Sequence, residues 1–265
     1  MPNTPSIVAL SSSARGEHAV VALRKPQAVP RLGLVPTRGR AECAADSLKQ
    51  RAEAADAEAR DEMQLALLWE QLRSGNCHVV FADFSDSRCY VVLAPGGDTR
   101  FLRVRSKRLE ILESVLCSNG QKTVAIDLAL APSTVALNAR LGLESLGVRT
   151  RASRVHPLLM LAAKAARDND AGMIGRLSSL STERGPLSVV SIQSPDRLLR
   201  GRLPPAELSV IATLLQGATY REIARLRGTS TRTIANQITA VFRRLRVSGR
   251  NELVHQLFER KRKAS

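Results

Sequence analysis

Arg232, Ala235, Asn236, Thr239 and Arg243 recur every three or four residues, so on a helix they share one side. Ile234, Ile238, Val241 and Leu245, spaced 4-3-4, fall on the other side, with Phe242 beside them. An Asn amide matches the major-groove edge of adenine, and an Arg guanidinium matches that of guanine. A helix with an apolar back and such a front is suited to reading bases. An ordinary helical bundle with a solvated outer face carries the same pattern, and periodicity alone does not separate the two.

The flanking residues predict what holds this helix. Pro204-Pro205 suits the first turn of a helix whose core face is Leu208, Ile211, Ala212, Leu214 and Leu215, and Gln216-Gly217 stops it. A second short helix runs from Arg221 to Arg227 and ends at Gly228, a residue at ease in a left-handed cap. Ser230 or Thr231 then caps the third helix. A fourth begins near Arg250, buries Leu253, Val254, Leu257 and Phe258, and ends in Arg260-Lys261-Arg262-Lys263. Two short helices joined by a tight turn follow the helix-turn-helix plan.

Composition agrees with a polyanion partner. Lys+Arg 40 against Asp+Glu 24 leaves a net charge of +16 over 265 residues, the footprint of nucleic acid more often than of an anionic membrane. No apolar run reaches the ~18 residues that span a bilayer. Aromatic content of 3% argues against an aromatic-lined ligand pocket. Cys43, Cys77, Cys89 and Cys117 form no C-x-x-C pair and do not cluster with histidine, which opposes a zinc site or a disulfide framework. The chain has no P-loop, no Gly-x-Ser-x-Gly elbow and no paired acids in a Gly-framed loop. His156 and His255 fit surface packing better than metal binding, and Cys117 on an apolar helix face fits a core. The expectation is a cytoplasmic, non-enzymatic protein without cofactor or membrane anchor.

Residues 1–40 are basic and interrupted by Pro2, Pro5, Pro26, Pro30 and Pro36, which predicts a disordered arm. A cleaved transit peptide shares this composition, but the prolines oppose its amphipathic helix. Over 41–75, Leu48, Ala52, Ala55, Ala59, Met63, Ala66, Trp69 and Leu72 form one helical stripe, packed on its own domain or in a weak coiled coil. His78–Phe81 and Cys89–Leu93 predict a short hairpin over 76–100, and Leu187–Ile192 predicts a strand inside a connector over 169–200.

Sliding the chain on itself by 99 residues superposes 109–158 on 208–257 without a gap, with identities such as Ala125/Ala224, Thr134/Thr233, Leu146/Leu245 and His156/His255. This predicts two tandem four-helix modules, over 101–168 and 201–265, in a mainly α chain with a few short strands.

Leu203-Pro-Pro-Ala-Glu207, Gly217-x-x-x-Arg-Glu-Ile-Ala224, Gly228-x-Ser-x-x-Thr-Ile234 and Leu245-x-Val-x-x-Arg-x-Glu-Leu253 together resemble the DNA-binding domain of LuxR-type transcription regulators. The resemblance covers about a quarter of the chain and keeps motif order and spacing. Three positions depart from it: Pro204 replaces a Thr cap, Arg227 stands where Leu is usual with Leu226 one place earlier, and Arg246 replaces a Gly. It implies that Ala235, Asn236 and Thr239 face base edges. It likewise places Arg221, Arg232, Thr233 and Arg243 on phosphates, and makes Leu253, Val254, Leu257 and Phe258 a pairing helix. The usual sensor domains of the family do not fit residues 1–105.

The first module resembles the family less. Ala129 replaces the turn Gly, Ala131 replaces the capping Ser, and Leu137, Leu141 and Glu144 stand opposite Asn236, Ala240 and Arg243. Arg140 alone is well placed for a base, and Pro157 should kink or shorten the last helix. The module reads as degenerate. The reading favoured is a sequence-specific DNA-binding transcription regulator, paired as an internal pseudo-dimer or a homodimer, with double-stranded DNA and RNA polymerase as partners. The alternative is an interaction protein that heterodimerises with an active LuxR-type partner.

Overall fold

Cys89-Tyr90-Val91-Val92-Leu93 is buried at every position, so a layer must cover each face of the strand it forms. A computed structural model, which describes residues 38–264 apart from 86, 97–101, 119–120, 149–155 and 184, supplies both layers. In chain order the elements are α1 (Arg38–Ala57), β1 (Asp61–Gln64), α2 (Leu65–Ser74), β2 (Cys77–Phe84), β3 (Arg88–Pro95), α3 (Leu102–Cys117), α4 (Gln121–Asp127) and α5 (Pro132–Ser145). There follow α6 (Pro157–Arg167), β4 (Ile174–Thr182), β5 (Gly185–Gln193), α7 (Pro205–Leu215), α8 (Tyr220–Leu226), α9 (Thr231–Leu245) and α10 (Arg250–Ala264). The basic arm expected over 1–40 lies outside the described residues, save for the first turn of α1.

The strands form one antiparallel sheet in the order β1-β4-β5-β3-β2. Alternation along β3 and β5 sorts their side chains. Cys89, Val91, Leu93, Val190 and Ile192 join the main core with Leu65, Leu68, Trp69 and Leu72 of α2 and with α6. Tyr90, Val92 and Val189 face the other way, onto Ala52 of α1. On that side Arg88 Nε lies 2.9 Å from Asp56 Oδ2, and the same guanidinium donates to Ser191 Oγ at 2.8 Å and to Ser191 O at 3.1 Å. A half-buried ion pair thus fastens the end of α1 to two central strands.

The expectation of a mainly α chain of two tandem four-helix modules with a few short strands is therefore corrected. The segment over 169–200 is a hairpin of two nine-residue strands, β4 and β5, at the centre of a five-stranded sheet. α6, expected to close a free-standing first module, is buried all round from Pro157 to Ala163 and packs on α2, α3, β3 and α10. The stripe over 41–75 is divided as well, because Asp61–Gln64 pairs with β4 and turns Met63 into the core.

Within this body α4 and α8 keep identical bounds 99 residues apart, and α5 and α9 start at the same offset. The axes of α4 and α5 differ by 110°. At the turn Gly228 has φ +60°, and Ala129, its counterpart, has φ +50°. A side chain is strained in that region by about 1–2 kcal/mol, and glycine is not. A Cβ at Gly228 would meet nothing within 4 Å, so the cost there is conformational alone. Ala129→Gly should raise stability by about 0.5–1 kcal/mol, and Gly228→Ala should lower it by about 1 kcal/mol. Urea unfolding of both variants checks the pair; the two shifts must have opposite sign.

His156 and His255 are both buried, not on the surface as expected. His156 Nδ1 accepts from Leu158 N at 3.4 Å, capping α6, which leaves Nε2 to donate to Asp83 O at 3.1 Å. His255 hydrogen-bonds the Met160 backbone, and its buried Nε2 has no partner among the described residues. Burial pulls each imidazole down from 6.5 to about 4. The unfolded chain thus binds the extra protons first, and stability present above pH 6.5 is lost as pH falls toward 4, by on the order of 2–3 kcal/mol per histidine. Denaturant midpoints measured at pH 7 and pH 5 should differ, and a His156→Gln/His255→Gln variant should show a much smaller difference.

Candidate nucleic-acid interface

α7 to α10 assemble from local signals. Pro204 precedes Pro205 at the first helical position, and Leu208 N closes the first turn on Pro204 O at 2.9 Å, so no side-chain cap is used. Thr219 and Glu222 form a capping box on α8: Thr219 Oγ1 accepts from Glu222 N at 3.3 Å, and Glu222 Oε2 accepts from Thr219 N at 2.7 Å. Of the two residues proposed to cap α9, Ser230 does so, accepting from Thr233 N at 3.0 Å. Arg244 grips Glu207 with two bonds of 2.6 and 3.1 Å, tying the end of α9 to the start of α7.

The back of α9 is Ile234, Ile238 and Val241, all buried, with Phe242 and Leu245 packed beside them. Its front is open: Arg232, Thr233, Asn236, Thr239 and Arg243 are exposed, and Ala235 is half-buried. Arg221 is exposed on α8. All the candidate base and phosphate residues therefore belong to one two-helix unit, although the Thr233 hydroxyl also pairs with Ser230 Oγ at 2.9 Å. Sequence reading passed over Gln237, exposed next to Asn236 with the same amide chemistry, and the exposed Arg225 and Arg227. The helical phase of Gln237, just off the centre of the front of α9, was the available signal. Between 220 and 246 seven arginines face one acid. That acid, Glu222, is engaged in its cap, so the surface field is positive.

The three departures from the family pattern have local outcomes. Arg227 Nη1 donates to Ser209 Oγ at 3.2 Å, while Leu226, one residue early, is left 69% exposed. Arg246 takes the left-handed cap at φ +57°. Its counterpart Gly147, at φ +88°, must be glycine because a Cβ there would stand 2.1 Å from Val79 O of β2.

α10 is capped by Glu252, whose carboxylate accepts from Ser248 N at 2.7 Å and Ser248 Oγ at 2.6 Å, and these bonds hold it below the usual carboxylate range. Leu253, Val254, Leu257 and Phe258 are buried within the chain, and α10 meets α6 and the turn Arg197–Leu199. Arg250 donates to Leu215 O at 2.8 Å; burial lowers its guanidinium to about 10, which leaves it charged at neutral pH.

The face of α5 that corresponds to the front of α9 differs in chemistry. Leu137 is 48% exposed where α9 has Asn236. Arg140 is held by Glu144 at 2.6 Å, and Asn138 Nδ2 donates back to Thr134 O at 2.9 Å. Among the described residues no cluster of His, Cys, Asp and Glu could hold a metal ion, and no single helix is long and apolar enough to cross a membrane.

Residues 202–257 match the family model for GerE, bacterial regulatory proteins of the luxR family. No curated protein and no solved structure matches the chain. The matched family is one of DNA-binding regulators and not of enzymes. The matched span takes in α7, α8, α9 and the apolar part of α10. Residues 202–257 are a DNA-binding domain of the luxR family.

Proposed function

We propose that this chain is a sequence-specific transcription regulator in which α9 enters the major groove of double-stranded DNA. One observation carries the reading: the fifteen residues of α9 are split between a buried apolar back and an exposed front of Arg232, Asn236, Thr239 and Arg243. Ala235, Asn236 and Thr239 meet base edges. Arg221, Arg232, Thr233 and Arg243 hold phosphates and set the register.

The unit formed by α3, α4 and α5 has the register of α7 to α9 but not the groove-facing chemistry. Its front offers an exposed leucine and an ion pair that cancels Arg140. In this reading it supports the second unit and does not contact DNA. α10 pairs with α6 of the same chain, an internal pseudo-dimer supported by the burial of Leu253, Val254, Leu257 and Phe258. The same burial counts against heterodimerisation through this helix. Light scattering should give one chain at micromolar concentration.

Gel shifts on duplexes selected from a random pool test the reading as a whole, since a protein that coats DNA has no preferred site. Two variant series test the docking. Removing Arg221, Arg232 or Arg243 should lower the slope of log K against log salt by about one unit and weaken all duplexes alike. Slopes that do not move in any of the three would count against it.

Asn236→Ala should cost about 1–3 kcal/mol on the best site, relax the preference at one base pair, and leave random DNA almost unaffected. Equal losses on selected and random duplexes would make Asn236 a backbone contact and require α9 to be turned.

A further inference from the structure

The first two residues of α10 each close the end of another helix. Arg250 Nη2 reaches Leu215 O, at the end of α7. Asn251 Nδ2 faces Val115 O at 3.1 Å, Leu116 O at 3.5 Å and Ser118 O at 3.2 Å, at the end of α3. The last carbonyls of a helix have no partner within it and form the negative end of its dipole, so a donor is worth most there. Leu116 and Leu215 are 99 residues apart. One dipeptide thus caps equivalent positions in both helical units. The two bonds differ in reach, however. Arg250 acts inside the DNA-binding unit, whereas Asn251 leaves it for a helix 133–136 residues earlier in the chain.

We infer that Asn251 is a positioning residue that fixes the DNA-reading unit on the sheet-bearing body, so that α9 is presented in one orientation. The inference rests on the DNA-binding reading above. Apolar contact between α6 and α10 supplies adhesion, but burial is non-directional and by itself sets no angle. Hydrogen bonds are directional. An amide with two hydrogens, shared among three converging carbonyls, sets the angle between the units together with the bond from His255 to the Met160 backbone. Aspartate has the same shape and only accepts when ionised, so it would face three carbonyls with no donor. At the second residue of a helix, a carboxylate also favours the helix itself. Asn251→Asp therefore supports α10 while breaking the bond, which separates docking from folding.

The test compares the full chain with Asn251→Asp and Asn251→Ala. Hydrogen–deuterium exchange is measured without DNA, then binding to a selected duplex at several salt concentrations. Exchange over 109–118 and 157–167 should accelerate at least tenfold in Asn251→Asp, less in Asn251→Ala, and stay unchanged over 231–245. Affinity for the selected site should fall threefold or more with the salt slope unchanged, because every arginine on the front of α9 is intact. Unchanged exchange over 109–118 in Asn251→Asp overturns the inference. Acceleration that extends to 231–245 assigns the residue to folding of the unit, and accelerated exchange with undiminished affinity removes its bearing on DNA; each overturns the positioning role. If the wild-type chain prefers no duplex while its exchange pattern depends on Asn251 as described, the proposed function fails and the bond between the units stands.

Discussion

A helix that is apolar on every side must be covered on every side, and α6 is such a helix. Pro157 to Ala163 are all buried. The cover comes from distant parts of the chain: α2 and β3 from before the helical unit, α3 from within it, and α10 from the DNA-binding domain. The sheet has the same requirement. β2 and β3 precede α6, β4 and β5 follow it, and β3 pairs with β5. The pairing of β3 with β5 joins the two hairpins across the stretch of chain that carries α6, and α6 packs on β3. The DNA-binding domain, by lending α10 as one wall, is part of the core and not an appendage to it.

At matching offsets of 99 residues, the helices of the body and those of the DNA-binding domain carry different residues. Where β2 docks, its Val79 N bonds to Leu146 O at 2.7 Å and the next residue is Gly147. At the equivalent place in the DNA-binding domain Arg246 adopts the same left-handed conformation, at a cost of about 1–2 kcal/mol. The exchange adds a cation where phosphates are expected. At the turn the roles reverse, with Gly228 in the DNA-binding domain and Ala129 in the body. Leu137 against Asn236 and Glu144 against Arg243 complete the pattern. In the proposed reading, positive charge and an amide stand where a groove is read, and an apolar residue and an acid stand at the matching positions of α5.

Legibility followed the range of the interactions. The four helices of the DNA-binding domain were readable because Ser230, Gly217, Gly228 and the 4-3-4 spacing of Ile234, Ile238, Val241 and Leu245 act within a few residues. The sheet was not. β4 reads Ile-Gly-Arg-Leu-Ser-Ser-Leu-Ser-Thr and β1 reads Asp-Glu-Met-Gln, neither of which carries the β-branched or aromatic run by which strands are recognised. β1 finds its partner β4 far along the chain, and β4, though it turns directly into β5, carries too few β-branched residues for a local window to show it. What α6 packs against was equally beyond a local window. Asn251 was passed over for the same reason, since its acceptors lie on a helix more than 130 residues earlier.

Electrostatics separates the front of α9 from the rest of the surface. Several other cations are matched locally: Arg88 with Asp56, Arg140 with Glu144, Lys164 with Asp168 and, at the end of α9, Arg244 with Glu207. The exposed pairs among these contribute little to stability, about 0–1 kcal/mol, but each removes a charge that would otherwise attract a polyanion. Arg221, Arg232 and Arg243 have no such carboxylate among the described residues. A net charge of +16 alone would draw nucleic acid to the whole surface. Arg221, Arg232 and Arg243 place positive charge beside Asn236 and Thr239, the residues proposed to meet base edges. In the proposed docking, steering by charge and reading by amide act through α8 and α9 together.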